Sequence, residues 1–362
     1  MNGTRTIAAF APAIVALAGP AAGQPAEFDP DAAPAGPDDY VPERTAWGDP
    51  DFRGTWPSEQ IYLADIPLER PEAFGNRLAM SDEEFAERLE AAKRSDADFE
   101  NDVNDEGTVG LVNWLQATPF GRRTSQLAEP ANGRLPPMTP EGEMLFKAGR
   151  TSWNDGQAID WITDLDTYDR CVSRGFPASM LPWPSNDAIR IFQSPGFVVL
   201  QIEVLGTRVI PLEPSEAWPA AVRAWLGHSR GHWEGDTLVI ETTNIVAGDG
   251  ASGDVWRRAA SPLSGRSYAT IPVGEHASTV ERLAMTGPDT LTYAVTYTDA
   301  AVFTAPWTIE LEWTRDPTYR LHEFACHEGN VQVRDMINAS RAQRRLDAAA
   351  HATEASPGTS GD

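Results

Sequence analysis

The stretch TLTYAVTYTDAAVFTAPWTIELEW, residues 290–313, decides the fold class. Large apolar side chains recur in it at every second position. In its first part Leu291, Tyr293, Val295 and Tyr297 align against threonines. In its last part Trp307, Ile309, Leu311 and Trp313 share one face, and Thr308, Glu310 and Glu312 share the other. A period of two belongs to a half-buried β-strand, because successive side chains point to opposite faces. Such a row is ordinarily plain core, packed under a helix or a second sheet. The chain's 12 tryptophans shift the expectation toward an apolar ligand cavity, since large rings line pockets well.

The same reading extends outward to AIRIFQ (188–193), GFVVLQIEV (196–204), TRVIPLE (207–213), GHWEGD (231–236), TLVIETTNI (237–245), STVERLAM (278–285) and LHEFAC (321–326). Turn residues separate several of them: Pro195-Gly196, Gly206, Glu234-Gly235, Gly287-Pro288-Asp289 and Asp316-Pro317. The segment PAAVRAWLG, 219–227, interrupts the series as a predicted helix, with Pro219 at its start and Gly227 past its end. Short strands joined by tight turns make an antiparallel sheet, and closing that sheet removes its exposed edges. The expected fold is mainly β (α+β), an antiparallel β-barrel with helices packed around it.

Those helices lie upstream and at the C-terminal side. SDEEFAERLEAAKR begins with a capping box, Ser81 as N-cap and Glu84 three residues on. VGLVNWLQ (109–116) reads as a second helix, and Thr139-Pro140 opens a third. From about Val331 a helix carries Val333, Met336 and Ile337 on one face. The expected organisation is a signal peptide over 1–23, a Pro/Ala/Asp-rich flexible segment over 24–45 and a single barrel domain over 46–345. Helical insertions fall at about 80–165, and a disordered tail covers 346–362.

The compartment follows from the first residues. MNGTRTIAAFAPAIVALAGPAAGQ has one arginine, an apolar run from Ile7 to Ala18 and then small residues, with cleavage expected after Gly23. The run is too short to span a bilayer and Pro12 interrupts it. A soluble periplasmic or secreted protein without a membrane span is expected. The net charge of −24, from 53 acidic against 29 basic residues, repels polyanions and excludes nucleic acid as a partner.

Two cysteines in an oxidising compartment pair, so Cys171 and Cys326 are read as a disulfide in preference to metal ligands. A structural zinc site needs four ligands at tight spacing, and no CxxC or HxxxH accompanies either cysteine. No metal and no cofactor is expected: there is no dinucleotide fingerprint, phosphate loop or Gly-x-Ser-x-Gly elbow.

The bridge would bring DLDTYDRCVSRGFP (164–177) against HEFACHEGN (322–330). Asp169, Arg170 and Arg174 would then stand near His327 and Glu328. A histidine beside a carboxylate and guanidiniums suits acid–base work: His327 as base, Glu328 as its orienter, Arg170 or Arg174 as anion clamp. The same charges can equally pair only to fix the loop. Glu241 shares strand parity with Val239 and Thr243. An inward direction would raise its pKa and make it a reserve acid; a solvated face is the alternative. Asp169, Trp233, Asn244 and Asn330 are candidate substrate contacts.

The motifs YDRCVSRGFPASMLP, RVIPLEP, WLGHSRGHWEGDTLVIETTN and FACHEGN carry a resemblance over roughly 50–341. The chain resembles an uncharacterised family of exported bacterial proteins with YDRC, SRGxWEGDTLV and CHEGN patterns. The likeness implies kinship and no activity. Two positions depart from the pattern: His228 stands where an aspartate is expected, and Val331 where an aromatic is usual. The Gly-x-Trp of RGTWP, before a strand meander, is also similar to the entry of lipocalin-type barrels, an analogy of fold alone. The functional expectation is a cofactor-independent acid–base enzyme (lyase, isomerase or hydrolase) acting on a small apolar, aromatic molecule. A non-catalytic binding protein and an envelope-interaction module are the alternatives.

Overall fold

The computed structural model describes residues 40–57, 67–88, 90, 122–148, 157–165, 167–173, 175–182, 188–204, 206–212, 216–247 and 273–354. The proposed signal peptide, most of the 24–45 segment, the 109–116 helix and Arg174 lie outside them.

The described residues are mainly β. Strands β1 (Gly54–Pro57), β3 (Ala188–Ser194), β4 (Phe197–Ile202) and β5 (Gly206–Pro211) form one sheet in the order β1-β3-β4-β5. The second sheet runs β2-β10-β9-β8-β7-β6. Its strands are β2 (Leu127–Glu129), β6 (His228–Glu234), β7 (Thr237–Thr243), β8 (Ser278–Gly287), β9 (Thr290–Thr298) and β10 (Trp307–Thr314). Among the described residues all the strand ladders are antiparallel. Gly196 and Gly235, both at positive φ, sit in the tight turns of the β3–β4 and β6–β7 hairpins.

The apolar rows of 290–313 are buried as a period of two requires, though Thr292, Ala294 and Thr308 of the alternate face are buried as well. Leu291, Tyr293, Val295 and Tyr297 are fully buried, and so are Trp307 and Ile309, with Leu311 and Trp313 nearly so. These rings fill the interior by packing on one another. Tyr293 stacks on Trp313 with centroids 4.7 Å apart, and Tyr297 on Trp307 at 5.0 Å. Burying each such side chain contributes roughly 1.5–3 kcal/mol. The aromatic row is therefore core, and the cavity that the tryptophans suggested does not lie among these rings.

The barrel expectation is met only in part. The edge strand β5 lies beside β6, and β1 lies beside β10, where the Asp316 amide donates to the Thr55 carbonyl at 3.0 Å. Yet no ladder crosses either seam among the described residues, so the hydrogen bonding gives two sheets.

The three described helices are α1 (residues 82–88), α2 (Pro140–Ala148) and α3 (Gln332–Glu354). The capping box forms at α1: the Ser81 amide donates to Glu84 Oε2 at 2.8 Å and the Glu84 amide to Ser81 Oγ at 3.2 Å. Thr139 caps α2 through the Gly142 amide at 3.0 Å. Ile337 of α3 packs with Ile159 and Leu165, joined by Val333 and Met336.

Four local expectations need correction. LHEFAC is not a strand; residues 321–325 have no regular structure. The Asp316 carboxylate turns the chain by accepting from the Thr318 and Tyr319 amides, and the Glu203 carboxylate, instead of a neighbouring strand, takes the His322 amide. PAAVRAWLG forms turns, because Asn244 Nδ2 donates to the Pro219 and Val222 carbonyls that a helix would use. Within 80–165 the short β2 joins the second sheet beside β10. The tail assigned to 346–362 is helical as far as Glu354, where an alanine-rich run extends α3 while Arg344 pairs with Asp160.

Candidate functional site

Strand alternation builds the site from β5. Thr207 and Val209 face out, while Arg208 and Ile210 face in. Arg208 is 3% exposed and reaches across to the second sheet. Its Nη1 donates to Glu281 Oε1 at 2.8 Å and its Nη2 to Glu281 Oε2 at 2.5 Å. Nη2 also donates to Ser229 Oγ at 2.9 Å and Thr242 Oγ1 at 3.0 Å. Tyr293 donates its hydroxyl to Glu281 Oε1 at 2.9 Å. One guanidinium thus ties β5 to β6, β7 and β8, Glu281 extends the network to β9, and the Arg208 Cζ lies 4.7 Å from the centre of the Phe176 ring.

Burial alone would lower the Arg208 pKa. The charge and hydrogen bonds of Glu281 outweigh burial and raise it. Burial, with Glu281 beside it, holds the Tyr293 phenol well above its ordinary value. Removing an ion pair from water costs several kcal/mol per ion, so such a pair persists only when its remaining polar atoms are bonded. One atom here is not: Arg208 Nε is buried without a partner among the described residues.

Beside this network, at the β5–β6 seam, lies a cleft of about 470 Å³. Its walls are residues 206–209 of β5, Val172 and Ser173 after the disulfide loop, Trp218, and the run from Ala224 to Ser229. The chain bends into this wall at Gly227, whose φ is +67° and whose Cβ position would meet the Thr243 carbonyl at 2.6 Å, so only glycine fits. His228 stacks on Trp218 with centroids 4.5 Å apart and planes 11° off parallel. Burial, and then the nearby Arg230, lower the His228 pKa, so the ring is neutral at pH 7. His228 Nδ1 is buried and has no partner among the described residues.

The residues named from the sequence gather elsewhere. Cys171 and Cys326 are bridged, with Cα atoms 5.5 Å apart. Asn330 reinforces the junction: its Nδ2 donates to the Asp169 carbonyl at 2.9 Å and lies 3.1 Å from Cys171 Sγ. A second, wider cleft of about 840 Å³ opens here, lined by Asp169, Cys326, Glu328, Asn330, Asp335 and the start of α3. His327 and Glu328 are both exposed, and His327 is not in the cleft wall. Arg170 is half-buried beside the bridge. Among the described residues no group of three or more His, Cys, Asp or Glu is placed to hold a metal ion.

The remaining candidates stand apart from both clefts. Glu241 is exposed, because Ile240 and Thr242 take the inward positions of β7; the inward direction considered for it is not the one adopted. It faces Arg230 at 3.8 Å. Trp233 packs edge-on against Phe52 at 5.2 Å. Asn244, at φ +56°, serves the turn described above.

Arg208, Ser173, Trp218 and Glu281 were not read as site residues. Parity held a usable signal for two of them. Arg208 shares its face with Ile210, and Glu281 shares its face with Thr279 and Leu283, so each is a charge on a core face. No family model, curated protein or solved structure matches the chain.

Proposed function

We propose that this chain is an exported binding protein for a small, apolar, aromatic molecule, and that the seam cleft is where the ligand sits. The observation that carries the reading is the cleft itself: about 470 Å³, walled by Trp218, Trp225, Leu226 and Val209, with a buried polar network behind it. Ligand sites are concave, mostly apolar and equipped with a few fixed polar groups. The adjoining edges of the two sheets support treating them as one barrel-like, lipocalin-like wall whose open seam admits the ligand. The disulfide fits an oxidising compartment.

Titration of the oxidised full-length protein with a panel of bicyclic aromatic compounds, followed by tryptophan fluorescence, tests the reading. Saturable binding that weakens at least tenfold in Trp218→Ala supports it. Binding indifferent to Trp218→Ala overturns it.

A second reading keeps an acid–base enzyme in the same cleft, with His228 as the base in place of His327. The observation in its favour is the neutral His228 ring in the cleft wall, since a base near pH 7 must be uncharged to accept a proton. Turnover lost in His228→Asn and kept in His327→Ala selects it. The reverse pattern returns the role to His327, Glu328 and the Arg170 loop.

A further inference from the structure

We propose that the ligand of the seam cleft is peptide-like: an aromatic side chain on a carbon flanked by an amide N–H and an amide carbonyl, which pair with the open edge of β5 as a further strand would. This rests on the cleft being the binding site, and it adds the chemistry of the ligand's polar part.

The β4–β5 register fixes which backbone groups are open. Arg208 stands opposite Leu200, and Ile210 opposite Val198. The next pair of the same parity is hydrogen-bonded, with the Leu212 amide donating to the Gly196 carbonyl at 2.9 Å. Hydrogen-bonded and non-hydrogen-bonded pairs alternate along an antiparallel ladder. Arg208 and Ile210 therefore bond to β4, while Thr207 and Val209 turn their backbone N–H and C=O away from it, toward the seam. Among the described residues neither finds a backbone partner there. Both residues are exposed, Val209 by 58%, and both line the cleft.

The outer edges of β1 and β2 are covered. On β1 the Thr55 carbonyl accepts the Asp316 amide, and on β2 the Leu127 amide donates to the Leu68 carbonyl, each at 3.0 Å. An uncovered strand edge is a template for another strand. Val209 offers an N–H and a C=O on one side of the chain. Their complement is a residue offering a C=O and an N–H in return, such as an amino acid blocked by amides at both ends. Residues directly opposite in such a pair carry their side chains on the same face. The ligand's ring then comes to the face of Val209, which shares the cleft wall with Trp218 and Trp225.

The test titrates three probes calorimetrically into the oxidised full-length protein: N-acetyl-3-(2-naphthyl)alaninamide, its ester analogue with oxygen in place of the acetylated N–H, and 2-ethylnaphthalene. The amide is expected to bind about tenfold tighter than either of the others. The infrared stretch of its isotopically labelled residue carbonyl is expected to move to lower wavenumber on binding, a readout that needs no variant. Val209→Pro removes the seam-facing N–H, which the β4–β5 ladder does not use and whose loss an edge strand tolerates. It is expected to keep the circular dichroism of the parent and to lose the preference for the amide, whereas Val209→Ala keeps both the N–H and the preference. If Val209→Pro does not fold, the amide-to-ester ratio and the stretch decide on the parent protein. Equal binding of amide and ester, with an unshifted stretch, overturns this inference and leaves the binding-protein reading standing. A preference for the amide that survives in folded Val209→Pro overturns it too, since the amide then pairs elsewhere. Failure of all three probes to bind overturns the reading beneath the inference as well.

Discussion

Two clefts of this molecule use the same residue types under opposite conditions. At the seam, Arg208 and Glu281 are withdrawn from water and held by Ser229, Thr242 and Tyr293 at fixed distances. At the disulfide junction, Glu328 and His327 stand in solvent, beside a cleft whose other carboxylates are the buried Asp169 and the exposed Asp335. Desolvation is the difference. A charge between two sheets has one geometry and a high cost of losing its partner; a charge in solvent has many geometries and little cost. The first kind holds its polar atoms at fixed positions. The second kind was the more conspicuous in the sequence, because Cys326, His327 and Glu328 stand in a row.

The largest effect that would break this contrast is at Glu281. Glu281→Ala leaves Arg208 buried without its counter-charge, and a loss of about 3–5 kcal/mol in denaturant stability is expected. A loss under about 1 kcal/mol would mean that the network is solvated like the junction. Next comes the bridge that joins the two regions. Cys171 and Cys326 are 155 residues apart, and replacing both with alanine is expected to cost about 2–4 kcal/mol. Val172 and Ser173, which follow Cys171 directly, also wall the seam cleft, so the same variant is expected to weaken ligand binding there. Unchanged binding would show the clefts to be mechanically independent. The smallest effect is at His327. As an exposed side chain its replacement by alanine is expected to shift stability by no more than about 0.5 kcal/mol and to leave seam-cleft affinity unaltered. A large loss of affinity or turnover in His327→Ala would reverse the ranking of the two clefts.

How much of this was readable beforehand varies by element. The β9 and β10 rows were, because burial on one side of a sheet imposes a period of two that few other structures share. The capping box of α1 and the Thr139 cap of α2 were, because they are local, and so was the disulfide, because two cysteines leave one pairing. LHEFAC and PAAVRAWLG were misread for one reason: side chains distant in sequence, Glu203 and Asn244, took the backbone groups that a strand or helix would have used. The short β2 was missed because its place in the sheet comes from β10.

The seam cleft belongs to the same non-local class. Alternation alone puts Arg208 and Glu281 on core faces, but it cannot say that they meet, since among the described residues no ladder joins the two sheets there. Local pattern thus determined which faces are apolar, where the hairpin turns at Gly196 and Gly235 fall and that the cysteines pair. The packing of one sheet against the other decided which charges are dehydrated and which polar groups they meet, because dehydration is a property of everything within a few ångströms and not of the residues on either side in the chain.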